Sequence, residues 1–211
     1  MSCKTQPKNI SSAAITYSVT FPDVDEEKKP ITSMLLPKKQ EFIFKDNTFL
    51  TQIKKATFEL KIRSETTTPT FYSEFYFNTV QHTSLEGKNL DQLYKTLPNY
   101  DVKFTDDTDT LQGLTIKKVI VKHEDIGVID VWYTEDFAIQ NSNWCTPYKD
   151  IPGVLVEYVI YQFGVQMNIK LAEWEEKEIN DSLLSITPKG SEIPFNAFQA
   201  EMGDLFKNLL D

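Results

Sequence analysis

A mainly β domain with a few helices, built on one antiparallel and strongly curved sheet, is the fold this 211-residue chain predicts. Apolar and polar residues alternate with period two in segment after segment, the signature of half-buried antiparallel strands. Only two stretches, near residue 90 and at the C-terminus, shift to helical spacing. Aromatic residues are abundant, with 14 Phe, 9 Tyr and 3 Trp, more than the faces of a simple sheet call for. A β core accounts for some of them, because aromatic side chains favour strands. The sharper reading is a sheet whose concave side is covered by helices rather than by a second sheet, leaving an apolar cavity.

In chain order, Ala14 to Phe21 alternates cleanly, with Ile15, Tyr17, Val19 and Phe21 on one face. The charged run between Pro22 and Pro30 reads as solvated loop. Three strands follow: one with Phe42 and Phe44 inward, one from Thr48 to Lys54, and one with Phe58, Leu60 and Ile62 inward. Asp46-Asn47 supplies a tight turn between the first two. Thr70 to Asn78 carries aromatics on both faces, as expected of a strand covered on both sides or lining a cavity on one. Leu90, Leu93, Tyr94 and Leu97 then fall at i, i+3, i+4 and i+7, with Asn89 as cap and Pro98 as stop, predicting a short amphipathic helix. Residues 99–113, with Asp101, Asp106, Asp107 and Asp109, read as a solvated acidic loop, since a calcium loop needs a differently placed glycine and a distal glutamate.

Strands resume at Thr115 to His123, Ile126 to Thr134, Gly153 to Tyr161 and Phe163 to Glu175. Turns are expected at His123-Glu124-Asp125 and near Gln162 to Gly164, and a short β or turn segment at Asp181 to Pro188. Phe195, Phe198, Met202, Leu205, Phe206 and Leu209 form a C-terminal helical stripe, read as packing on the sheet. Residues 1–12 are polar and patternless, a tether, and residues 13–211 show neither a composition break nor a repeat, so one domain is expected.

The net charge of -9 excludes a general nucleic-acid-binding surface. No run approaches the roughly 20 apolar residues of a membrane span. Cys3 and Cys145, with His82 and His123, are too few for a disulfide framework or a zinc site, so neither metal nor cofactor is expected. No catalytic motif of the nucleophile-elbow, zincin, P-loop or dinucleotide type is present. A remote hydrolase alternative would pair His82 or His123 with Cys145 or a buried carboxylate; His123 reads more simply as a surface turn residue. Cys3, followed by Lys4-Thr5-Gln6-Pro7-Lys8, reads as the lipidated start of a mature bacterial lipoprotein, against the alternative of an incidental thiol. The membrane is then met through that anchor only.

Trp132-Tyr133-Thr134, a long loop, Ile151-Pro152-Gly153 opening a strand, a methionine-bearing hairpin arm and Asp181-Ser182-Leu183-Leu184-Ser185-Ile186-Thr187-Pro188 occur in that order. The series resembles the GLPGLI-type secreted proteins and related uncharacterised Bacteroidetes lipoproteins, most closely in the C-terminal half. Isoleucine in place of the leucine before Pro-Gly, Leu114 where an aromatic is common and Leu184 in place of Phe depart from the pattern. The resemblance implies a half-barrel like LolA or LolB, a periplasmic or outer-membrane location and handling of lipids or lipoproteins. The expected function is therefore a non-enzymatic lipoprotein that binds or carries an apolar ligand. Phe58, Phe75, Phe77, Trp132 and Met167 are the expected cavity lining, and Phe137, Trp144 and Tyr148 a candidate recognition rim on a flexible loop, where binding residues often lie. The alternative is a structural or protein-interaction lipoprotein whose cavity its own helices fill.

Overall fold

The computed structural model describes residues 8–24, 30–55, 58–123, 126–162 and 165–210. Cys3, most of the expected tether, Glu124, Asp125 and the turn residues Phe163 and Gly164 lie outside the described residues, as does the side chain of Leu209. Alternation decides the architecture. β1 (Ser12–Thr20), β2 (Lys39–Lys45), β3 (Thr48–Lys54), β4 (Glu59–Glu65), β5 (Thr70–Phe77) and β6 (Thr79–Glu86) run antiparallel as one meander. β7 (Asp101–Leu111), β8 (Leu114–His123), β9 (Gly127–Thr134), β10 (Val154–Gln162) and β11 (Val165–Glu176) form a second, and β11 closes onto β1. β12 (Ser191–Glu192) adds a short parallel edge to β6. The result is one 12-stranded sheet, ordered β12-β6-β5-β4-β3-β2-β1-β11-β10-β9-β8-β7, open at both ends among the described residues.

Register carries the inward positions from strand to strand. Ile15, Phe42, Thr51, Ile62, Ser73 and Thr83 are successive partners across β1 to β6, so one face accumulates the apolar side chains. On that face lie the connection between β9 and β10, residues 135–153, and helix α4 (Phe195–Leu210). The predicted stripe holds along α4: Phe195, Phe198, Met202, Leu205 and Phe206 are all buried. Phe195 meets Phe71 edge-on at 5.9 Å and Phe198 meets Phe75 at 6.5 Å.

The opposite face is crossed by residues 177–192, which pass from β1 to β6. Ser12 Oγ donates to the Lys177 carbonyl at 2.6 Å, Lys45 pairs with Asp181 at 2.6 Å, and His82 Nδ1 lies 2.9 Å from the Lys189 carbonyl. Beneath this strap sits a small separate cluster of Ile43, Leu50, Ile179 and Leu184. The aromatics on both faces of β5 are thereby explained: Phe71 and Phe75 pack under α4, while Tyr72 packs against His82 on the strap side, ring centroids 5.6 Å apart.

Several expectations are corrected. The acidic stretch is no loop but the 11-residue edge strand β7. Its alternation is hidden by a bulge between Phe104 and Thr108, and its exposed aspartates suit an edge that must not pair with another chain. The segment at Asp181 is helical, α3 (Asp181–Leu184), capped by the Asn180 side chain accepting from Ser182 N at 2.9 Å. The helix near residue 90 is a 3₁₀ turn (Gly87–Leu90) running into α2 (Asp91–Tyr94), with no side-chain cap from Asn89. A further helix, α1 (Pro30–Leu35), precedes β2. His123 is not a surface residue; it is buried beside Tyr100 at 4.8 Å and Tyr161 at 5.9 Å.

Candidate functional site

β9 ends at Thr134 and β10 begins at Val154, and the chain between them must leave the sheet and return beside it. Gly153 makes the return possible. Its φ is +72°, and a Cβ there would stand 2.1 Å from the Thr134 carbonyl oxygen, so only glycine fits. Asp136 secures the departure: its Oδ2 accepts from Thr115 N at 2.8 Å, and its own N–H donates to Thr134 Oγ1 at 3.1 Å. A short bridge between Ile10 and Phe137 fixes the next step.

The loop then folds inward. Asn143 Nδ2 donates to the carbonyls of Ile151 at 2.8 Å and Gly153 at 2.9 Å, and Ser142 Oγ donates to Gly153 at 2.6 Å. These bonds satisfy backbone groups that the loop would otherwise bury unpaired. Trp144 Nε1 donates to Ser64 Oγ on β4 at 2.7 Å, and the Tyr148 hydroxyl donates to the Val159 carbonyl on β10. Trp144 is 6% exposed, Phe137 2% and Tyr148 0%. The loop expected as a rim is a buried plug. Its aromatics turn inward because the sheet face below them is itself apolar and each polar ring atom finds a partner there.

Two adjoining cavities remain around this plug, of about 180 Å³ and 250 Å³. The first lies over β1 to β4, β10 and β11, between Tyr17, Phe42, Tyr158 and Met167 on the sheet and Cys145, Met202 and Phe206 above. The second lies toward α2, between Phe71, Leu93, Leu97, Phe195 and Phe198. Leu60, Ile62, Cys145, Thr146, Ile160, Gln162 and Met202 line both, so the two adjoin across a shared and mostly apolar wall.

Of the expected lining residues, Met167 borders the first of these two cavities and the other four border neither. Phe58 and Phe75 are packed into the core, 6.4 Å apart. Phe77 stacks on Phe75 at 6.3 Å but is 43% exposed at the end of β5. Trp132 falls between the inward residues Val131 and Tyr133, and so points to the other face, where Lys118 Nζ sits 5.9 Å from its ring. Strand parity could not say which cross-strand rows meet the plug, and that choice separates Met167 from the others. Met202 and Phe206 had been visible only as part of a helical stripe.

The chemistry of the cavity wall is quiet. Burial pushes the Cys145 thiol up to about 12, although its surface is not fully covered, because what it faces is cavity rather than bulk water. Burial likewise raises Tyr17, with the neighbouring Tyr158 adding to it, and raises Tyr158 and Tyr148. Tyr17 donates to the Leu155 carbonyl at 2.8 Å, and Gln40 Nε2 donates to the Tyr158 hydroxyl at 3.4 Å. Neither His82 nor His123 lines either cavity. Among the described residues no group of three or more His, Cys, Asp or Glu could hold a metal ion, and no helix is long and apolar enough to cross a membrane.

No protein-family model matches the chain, and no curated protein sequence does. Its fold is similar to part of PNGF-II: for one solved space group of that protein the TM-score is 0.56 at 15% identity, covering 95% of this chain and 33% of PNGF-II. A second space group gives a TM-score of 0.48 at 15% identity, covering 94% and 32%. At that identity the likeness is one of fold, and the chain spans about a third of the length of PNGF-II.

Proposed function

We propose that this domain is a non-enzymatic cell-envelope lipoprotein module that binds or carries an apolar ligand between its sheet and α4. The single observation that carries the reading is the pair of adjoining, largely apolar cavities that share Met202 and Ile160 in their walls. Each falls below the few hundred Å³ at which ligand pockets begin, and joined they enter that range. Methionine in the shared wall suits an adaptable lining, since its thioether chain repacks at low cost. In this reading the plug side is the inner side of a LolA-like half-barrel, and Cys3 carries the lipid that holds the domain in the periplasm or at the outer membrane. The GLPGLI-type resemblance supports that compartment. Lipid extraction and native mass spectrometry of protein purified from its own host test the reading: a stoichiometric apolar ligand is expected, and neither co-purifying lipid nor saturable binding of an uncharged hydrophobic dye would sink it.

One observation favours a second reading, a protein-interaction module with a self-filled interior. In PNGF-II the similar fold makes up about a third of a longer chain, so it stands there beside other parts of the protein. Filling of the interior by Trp144 and Tyr148 suits that role as well. Recovery of a defined partner by crosslinking, with no ligand in the cavities, distinguishes the two.

A further inference from the structure

The walls of both cavities share one property beyond their apolarity. Among the described residues, no Asp, Glu, Lys, Arg or His lines either of them. That is unusual company in a chain with 31 acidic and 22 basic residues. The polar groups described there are all neutral; they include the hydroxyls of Tyr17 and Tyr158, the amides of Gln40 and Asn143, Thr146 and Gln162 on the wall common to both, and at the other end Thr96 and Gln199, whose side chains bond each other at 3.2 Å.

These groups also stay neutral. The Cys145 thiol and the Tyr17 and Tyr158 phenols are all pushed upward by burial, so none becomes an anion at ordinary pH. Most of their donors are already committed. Asn143 and Ser142 hold the loop carbonyls, and Tyr17 holds Leu155. A carboxylate, phosphate or ammonium placed inside would lose its water and gain no opposite charge, which is a prohibitive exchange. An uncharged hydroxyl, ester or amide loses far less, and one hydrogen bond at Tyr158 or Gln40 can replace its water.

We infer that the two cavities, joined, take an uncharged lipid-like chain ending in a neutral polar group, and reject the ionised fatty acid or amine of the same length. This rests on the apolar-ligand reading above and narrows it. The neutral residues around Gln40 and Tyr158 hold the polar end, and the chain passes Met202 into the space beside Phe71 and Phe198.

Displacement of the uncharged dye N-phenyl-1-naphthylamine from the full chain by 1-decanol, decanoate and decylamine tests it. At pH 8 decanol is expected to displace the dye at a concentration about tenfold or more below that needed for either ion. Lowering the pH through the carboxyl range should narrow the gap for decanoate and leave it for decylamine. Leu60→Arg, on the half-buried wall common to both cavities, should move the preference toward decanoate while circular dichroism shows the fold retained. Equal or tighter binding of decanoate by the unsubstituted chain overturns the inference and leaves the apolar-ligand reading standing. Absence of saturable dye binding, with no displacement by any of the three, overturns both.

Discussion

Residues 135–153 and residues 177–192 each cross one face of the same sheet, and they are held there by different forces. The first is pinned by the buried rings of Trp144 and Tyr148, each with its polar atom bonded to a strand, and by the Asn143 and Ser142 bonds to its own carbonyls. The second rests on two apolar anchors, Ile179 and Leu184, with backbone and surface contacts along the rest. A connection built on burial becomes part of the core and shapes the cavities. One built on surface contacts behaves as a clasp. The difference shows that loop status in a chain says little about mechanical role; the apolar area beneath the loop decides it.

Substitutions on the plug should therefore cost most. Gly153→Val brings a branched side chain against the Thr134 carbonyl at a backbone angle it does not tolerate. A loss of about 4 kcal/mol or more is expected in urea unfolding, enough to abolish folding in a marginal domain. A fully folded Gly153→Val variant with unchanged midpoint would break the account of the turn. Trp144→Ala empties a packed site and removes the bond to Ser64, and about 3–5 kcal/mol is the expected cost. On the strap, Leu184→Ala should cost about 2 kcal/mol, the low end for such truncations, because its cluster is small and near the surface. Comparable losses for Trp144→Ala and Leu184→Ala would erase the contrast. Least of all, Asp181→Asn should leave Tm within error, since that carboxylate is 84% exposed in its pair with Lys45.

Alkaline pH sharpens the same comparison. Cys145, Tyr17, Tyr148 and Tyr158 have their folded pKa values raised above the unfolded ones. Their contribution to stability is fully present below the unfolded values, near 9–10, and is lost as pH rises toward the folded ones. Hydrogen exchange followed by mass spectrometry should then show the plug amides, protected at pH 7, opening as pH passes 10. The strap amides should exchange early at both pH values. A plug that exchanges as fast as the strap at pH 7 contradicts the buried-plug description.

The helical stripe from Phe195 to Phe206 and the alternation of Ile15, Tyr17 and Val19 were legible because each element's period is written in its own residues. The edge strand β7 was not, because its bulge breaks the period and its aspartates imitate a loop. Among candidate site residues, Met167 was legible as inward, while Trp132 differs from Tyr133 by one position and so by a whole face of the sheet. Phe137, Trp144 and Tyr148 are legible as a cluster on one loop, while their burial is not. Aromatic side chains on a glycine-ended connection look alike whether they point to solvent or to the sheet.

The sequence alone determined the strand-rich class, the two helical stretches and the charge balance, all properties of neighbouring residues. Tertiary structure decided the strand order that closes β11 onto β1, the inward fold of the plug and which described side chains line the two cavities. Those depend on which distant side chains meet, such as Ser64 with Trp144 and Tyr17 with Leu155, and no local period encodes a meeting across 80 or 138 residues.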